Sequence, residues 1–140
     1  MVDKVLLASK IAAVRDAVAR IRAVLPANLD TFIADRTARE IVVLNLFVSL
    51  QDCLSLATHW LADEGLAVPE SYGDVLRALG ERGVVQSDLA ARLAAASGFR
   101  NLVAHRYGAL DWKRVYAIAA HELDDLLAFC DELAARAGEA

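Results

Sequence analysis

The chain has 140 residues, close to the usual size of one domain and too short to bury two sizeable cores. Apolar side chains make up 57% and aromatics only 6%, with Ala and Leu dominant, which suits packed helices better than a sheet. The formal charge of −4 excludes a uniformly basic surface, so any contact with nucleic acid must come from a local cluster.

The first element is expected from Val2 to Leu25, where Val5, Leu6, Ile11, Val14, Val18, Ile21 and Leu25 recur near helical spacing and Pro26 ends the pattern. Met1-Val-Asp-Lys-Val begins directly in charged sequence, without the basic start, apolar block and cleavage site of a signal peptide. A cytoplasmic protein is the expectation. Asp30 or Thr31 can cap a second helix that runs unbroken to Glu64, with Gly65 as its stop, about 50 Å at 1.5 Å per residue. Its most apolar run, Ile41 to Leu50, is half the roughly 20 residues of a membrane span, and no membrane partner is expected. Ile41, Val42, Val43, Leu44, Leu46, Phe47 and Val48 cover much of the circumference, which predicts burial on two sides, the second by self-association.

Pro69 and a Ser71 cap open a short helix to about Arg82, closed by Gly83. Ser87 is expected to cap a third long element that Gly98 interrupts, with Gly108 as its C-cap. Asp111 can cap a last amphipathic helix from Trp112 to about Ala135. With no repeat and no strand alternation, residues 1–140 read as one all-α domain: an up-and-down four-helix bundle with one additional short helix. Charge is uneven along it. Arg92, Arg100, Arg106, Lys113 and Arg114 face only Asp111 across the Arg92–Arg114 window, whereas Glu122, Asp124, Asp125, Asp131, Glu132 and Glu139 are offset only by Arg136 in the tail.

Cys53 and Cys130 lack zinc or disulfide spacing and read as small buried hydrophobes. Three histidines remain as proton carriers. Leu56, Leu102 and Ile118 stand where Glu-x-x-His pairs would need glutamates, and His121-Glu122 lacks a second histidine one turn on, so no metal site is expected. His59, between Thr58 and Trp60, reads as a hydrogen-bonded packing residue and His121 as a surface or cap contact.

His105 differs, because Arg100, Asn101, Arg106 and Tyr107 crowd polar chemistry into a segment otherwise made of Ala, Leu and Val. A salt-bridged helix end is the alternative. Asn101 and His105 are four apart and share a face, so the amide can orient the imidazole. Arg100 and His105 are five apart, about 140° around a helix, so two copies facing across a two-fold axis would bring an Arg and a His together more easily than one straight helix. Such a cleft suits metal-free RNA cleavage by the ribose 2′-hydroxyl, with His105 moving protons and Arg100 stabilising phosphate charge. Arg106, Lys113 and Arg114 are candidate RNA contacts, and Tyr107 either stacks on a base or packs on the bundle.

Arg100, Asn101-Leu-Val-Ala104, His105, Arg106, Tyr107 resembles the HepT family of the HEPN superfamily, whose signature is Arg, four residues, His, one residue, Tyr. Leu50-Gln-Asp-Cys53 leading to His59, Pro69-Glu-Ser-Tyr72, Gly98-Phe99 and Asp111 extend the resemblance over roughly Arg39 to Glu132. It departs at Leu54-Ser55, where many members carry an acidic residue, and at Ala104, where a bulkier one is common. The resemblance implies a dimeric HEPN bundle with a composite ribonuclease site, Arg100 and His105 in the catalytic positions, supported by Asn101. It further implies a toxin in a type VII-like toxin–antitoxin system, with no cofactor of its own. Its partner would be an MNT-type nucleotidyltransferase that silences it by transferring AMP to Tyr107. A chain with weak activity that serves as a binding platform for that partner, or a helical nucleotide-binding scaffold, are the competing expectations.

Overall fold

A computed structural model describes residues 2–138 and is helical throughout, with no strand among the described residues. In chain order the helices are α1 (Lys4–Val24), α2 (Leu29–Ala34), α3 (Arg36–Asp63), α4 (Tyr72–Glu81), α5 (Ser87–His105), α6 (Trp112–His121) and α7 (Leu123–Gly138), with a 3-10 turn at Tyr107–Ala109. Glu139, counted in the acidic tail, lies outside the described residues.

The Asp3 carboxylate caps α1 by accepting from the amides of Val5 and Leu6, each at 3.1 Å. Leu7, Ile11, Val14, Val18 and Ile21 then form its buried stripe, while Val5, expected in that stripe, is 81% exposed. The single second helix expected from sequence is instead two. Asn28 caps α2 through the Thr31 amide, and Asp35 caps α3 through the Ala38 amide at 3.0 Å, so the chain turns where the Asp35 side chain replaces a helical hydrogen bond. Neither Asp30 nor Thr31 is the cap.

Helix α3 is the centre of the molecule and contacts all six other α-helices. That arrangement accounts for its broad apolar surface within one chain, leaving Leu44 and Val48 as its exposed large hydrophobics. By length and composition α3 could cross a membrane, because apolar and small residues continue well beyond Ile41–Leu50; half of its most apolar window is buried inside the bundle. Gly65 and Gly83, both with positive φ, close α3 and α4 as expected. Helices α1, α3, α5 and α7 make the bundle, and α2 and α4 add to its core, in which Phe32, Leu46, Leu54, Leu79, Phe129 and Leu133 are fully buried.

Four further expectations are corrected. Ser87 begins α5 but does not cap it: Gln86 occupies the N-cap, and its own amide donates to Glu132 of α7 at 2.8 Å. Gly98 does not interrupt α5, since it faces open space and a helix tolerates an exposed glycine at a cost of about 1 kcal/mol. Gly108 lies inside the 3-10 turn, and Arg106 is the C-cap. The last helix divides at Glu122 into α6, capped by Asp111, and α7. The Tyr116 hydroxyl donates to the Pro26 carbonyl at 2.8 Å and both Tyr116 and Trp112 pack on Phe32, which fixes α6 against α2.

Cys53 and Cys130 are buried thiols, as expected, but they are also neighbours across α3 and α7; a hydrogen bond with Cys130 and then burial push the Cys53 thiol well up. Gly80 lies at a close approach of α4 to α5. A Cβ there would sit 2.9 Å from the Ala90 Cβ and 3.3 Å from the Ser87 Cα, neither of which is a flexible side-chain end. Gly80→Ala is therefore expected to destabilise the fold by about 1–3 kcal/mol through overpacking, against roughly 1 kcal/mol gained in helix propensity, giving a net fall in Tm. Thermal unfolding followed by circular dichroism checks the sign, since propensity alone predicts a rise.

Candidate active site

The end of α5 separates into two faces. Phe99 is buried and the half-buried Val103 packs on the core, which seats the last turn; Leu102 and Arg100 are intermediate, and Asn101, Ala104 and His105 are exposed. The Arg106 amide donates to the Leu102 carbonyl at 2.8 Å, and its φ of −142° ends the helix there. Anchored apolar residues thus hold the polar ones at the rim.

Arg100, Asn101 and His105 line a single cavity of about 570 Å³ in one chain, facing Tyr72, Gly73 and Arg77 of α4. That volume is in the range of small-molecule sites and admits a nucleotide. The Arg100 guanidinium reaches it through fixed contacts. Its Nε donates to the Gln51 Oε1 of α3 at 2.7 Å and its Nη1 to the Asn101 Oδ1 at 3.1 Å. Its charged carbon lies 5.4 Å from the Phe47 ring centre and 5.2 Å from that of Tyr72. The hydrogen bond that Asn101 makes is to the adjacent Arg100, through its oxygen, and not to His105 as the shared helix face led one to expect.

Tyr107 does not line this cavity. It opens the 3-10 turn two residues beyond His105, 47% exposed, with its ring edge-on to Trp112 at 6.2 Å. Arg39 lies over the other aromatic, Trp112, at 5.3 Å, and donates to the Ile33 carbonyl. Arg36 of α3 is held charged above the usual guanidinium range chiefly by its hydrogen bond with Glu40, with Tyr107 adding a smaller contribution. The tyrosine therefore stands at the surface, with Trp112 against its ring and the Arg36 charge within electrostatic reach.

The basic window is narrower in three dimensions than in sequence. Arg92 pairs with Asp125 at 3.1 Å and Arg114 with Glu122 at 3.4 Å, so the acidic tail folds back on two of the five cations. Arg106 and Lys113 are exposed and make no ion pair among the described residues. Arg77 joins Arg100 at the cavity, with Asp74 at 3.2 Å from it. His59 is exposed on α3, not packed as expected, and His121 ends α6 at the surface. Gln51, Phe47, Tyr72 and Arg77 carry no recognisable spacing to the motif. Two of them, Gln51 and Tyr72, fall within the segments Leu50-Gln-Asp-Cys53 and Pro69-Glu-Ser-Tyr72, whose likeness to a family gave them no role.

The sequence model of a family described as ribonuclease HepT-like matches residues 14–133. The mRNA nuclease HepT of Shewanella oneidensis is 28% identical over 127 residues, covering 91% of this chain and 95% of that protein. Among solved structures, the tri-AMPylated Shewanella oneidensis HEPN toxin in complex with MNT antitoxin superposes with a TM-score of 0.85 at 28% identity, covering 96% of this chain and 99% of that one. A toxin–antitoxin crystal structure with AMP-PNP superposes equally well, at 0.85 and 27% identity over 93% of this chain and 98% of that one.

Proposed function

The chain belongs to the ribonuclease HepT-like family, and on that premise we propose that it is the toxin of a HEPN/MNT toxin–antitoxin pair, a metal-independent endoribonuclease with Arg100 and His105 at its catalytic centre. The observation that carries this reading is the shared cavity: it gathers Arg100, Asn101 and His105 at one rim, where a phosphodiester can lie against an arginine and an imidazole together.

In the reaction the ribose 2′-oxygen forms a bond to the adjacent phosphorus while the bond to the 5′-oxygen breaks. A base takes the 2′-hydroxyl proton and an acid returns one to the departing 5′-oxygen. One imidazole can perform either transfer, and a second copy of the chain, packed across a two-fold axis, supplies another His105 for the other. Arg100 stabilises the charge that builds on the phosphoryl oxygens through forked hydrogen bonds. Arg106 and Lys113, which are exposed near the motif, extend the attraction to the RNA backbone, with Arg114 contributing in part.

The proposed partner is an MNT-type nucleotidyltransferase antitoxin that transfers AMP to the Tyr107 hydroxyl. The exposure of that residue beside the site supports this role. An adenylate there adds bulk and negative charge next to the cleft and repels the RNA backbone.

The test is incubation of purified protein, free of any partner, with a mixed RNA pool in excess EDTA, with product ends mapped and intact mass used to establish that Tyr107 is unmodified. Cleavage leaving 2′,3′-cyclic phosphate and 5′-hydroxyl ends is expected. An unmodified protein that leaves RNA intact would instead support a binding platform for the nucleotidyltransferase.

A further inference from the structure

We propose that Gln51, with the rings of Phe47 and Tyr72, is a positioning residue that holds the Arg100 guanidinium in one orientation for RNA cleavage; this rests on the ribonuclease reading of the cavity. An arginine side chain has several freely rotating bonds, so an unrestrained one samples many positions and meets the phosphate in the right one only part of the time. Arg100 is restrained from three directions by three different helices. Gln51 of α3 takes the Nε–H at 2.7 Å, Asn101 of α5 takes Nη1 at 3.1 Å, and the aromatic rings of α3 and α4 lie 5.4 and 5.2 Å from the guanidinium carbon. None of these contacts uses Nη2, which leaves a donor for phosphate.

The parts of this clamp are themselves fixed. Phe47 and Gln51 are four residues apart and so share one face of α3. Tyr72 is the first residue of α4, whose start is held by the Ser71 hydroxyl accepting from the Asp74 amide at 3.2 Å. The chemistry of the acceptor matters as well. Gln51 is neutral, so it orients the guanidinium without cancelling the charge needed at the phosphate. A carboxylate is close at hand in sequence, but Asp52 points around the helix to Lys10 of α1 at 3.4 Å. The anion is thus directed away from Arg100 and the amide toward it.

The experiment combines cleavage kinetics on an RNA oligonucleotide that the parent cuts with exchange of the Arg100 Nε–H, followed by nitrogen-15 NMR and assigned by its loss in Arg100→Lys. In Gln51→Ala we expect kcat to fall about tenfold with KM changed less than twofold, and Nε–H exchange to accelerate. Gln51→Glu keeps an acceptor at the same reach. It is expected to restore slow exchange yet remain slower than the parent, because its carboxylate offsets the guanidinium charge. Unchanged kcat in Gln51→Ala, or slowed cleavage with unchanged Nε–H exchange, overturns the proposal while loss of activity in His105→Ala leaves the ribonuclease reading standing. A parent no faster than His105→Ala overturns that reading and the proposal with it. Should Gln51→Ala fail to fold, the Gln51→Glu pair of readouts decides.

Discussion

His105→Ala is expected to lower RNA cleavage by about a thousandfold, the range of a lost general acid–base group, while changing stability by no more than about 0.5 kcal/mol. The two effects separate because of where the residue stands. His105 is the last residue of α5, exposed, and the helix is terminated by the backbone of Arg106 and not by the imidazole. Its removal therefore opens no cavity in the core and strips no buried polar group of a partner. Cleavage rates on one RNA, compared with thermal unfolding of the same preparations, test both halves. In cells the same change should relieve growth arrest on expression, whereas Asp16→Ala, on an exposed position of α1, should not. Equal cleavage by parent and variant would remove His105 from the chemistry and leave the cavity as a binding site.

Much of the fold could be read from sequence because its strongest signals are local. The Ser71 cap, Gly65, Gly83 and the stripe of α1 each act within a few residues of themselves. The breaks that were missed carry no glycine or proline. Asp35 divides α2 from α3 by bonding the Ala38 amide, yet the hydrophobic pattern runs straight through it. Glu122 divides α6 from α7, with its amide still bonded to Ile118, and here Leu123 and Leu126 of α7 and Ile118 of α6 all reach the core despite the turn. Gly98 misled in the opposite sense, because an exposed glycine costs an otherwise well-packed helix too little to end it.

The candidate site is legible to the same extent. Arg100, Asn101, His105 and Tyr107 lie within eight consecutive positions, and their polarity against Ala, Leu and Val is visible without coordinates. What orders Arg100 comes from Phe47 and Gln51 on one helix and Tyr72 on another, and only packing of α3 and α4 on α5 brings them to it. The same holds for the pairing of Arg92 and Arg114 with the acidic tail, which sequence presents as a separate segment. Helical angle also misled about Arg100 and His105. Some 140° apart, they still border one cavity, because the arginine is long and His105 is the last, exposed residue of the helix.

Tyr107→Phe is expected to keep RNA cleavage within about twofold of the parent while abolishing silencing by the nucleotidyltransferase. The phenolic ring is 47% exposed and rests edge-on against Trp112, a contact that phenylalanine reproduces, so folding should be unaffected. Tyr107 also lies outside the cavity that holds Arg100 and His105, and removing its hydroxyl takes nothing from that rim. In the proposed reaction that hydroxyl is the nucleophile for adenylate transfer, so its loss is expected to leave the transferase without an acceptor at this position. Intact mass after incubation with antitoxin, ATP and magnesium should show an adenylate on the parent at Tyr107 and none there on the variant. Cleavage should then fall only for the parent. A variant silenced as fully as the parent would mean that the antitoxin acts by covering the cleft or by modifying another residue. Cleavage lost in Tyr107→Phe before any antitoxin is added would instead place the phenol in contact with RNA, since the packing on Trp112 survives the substitution.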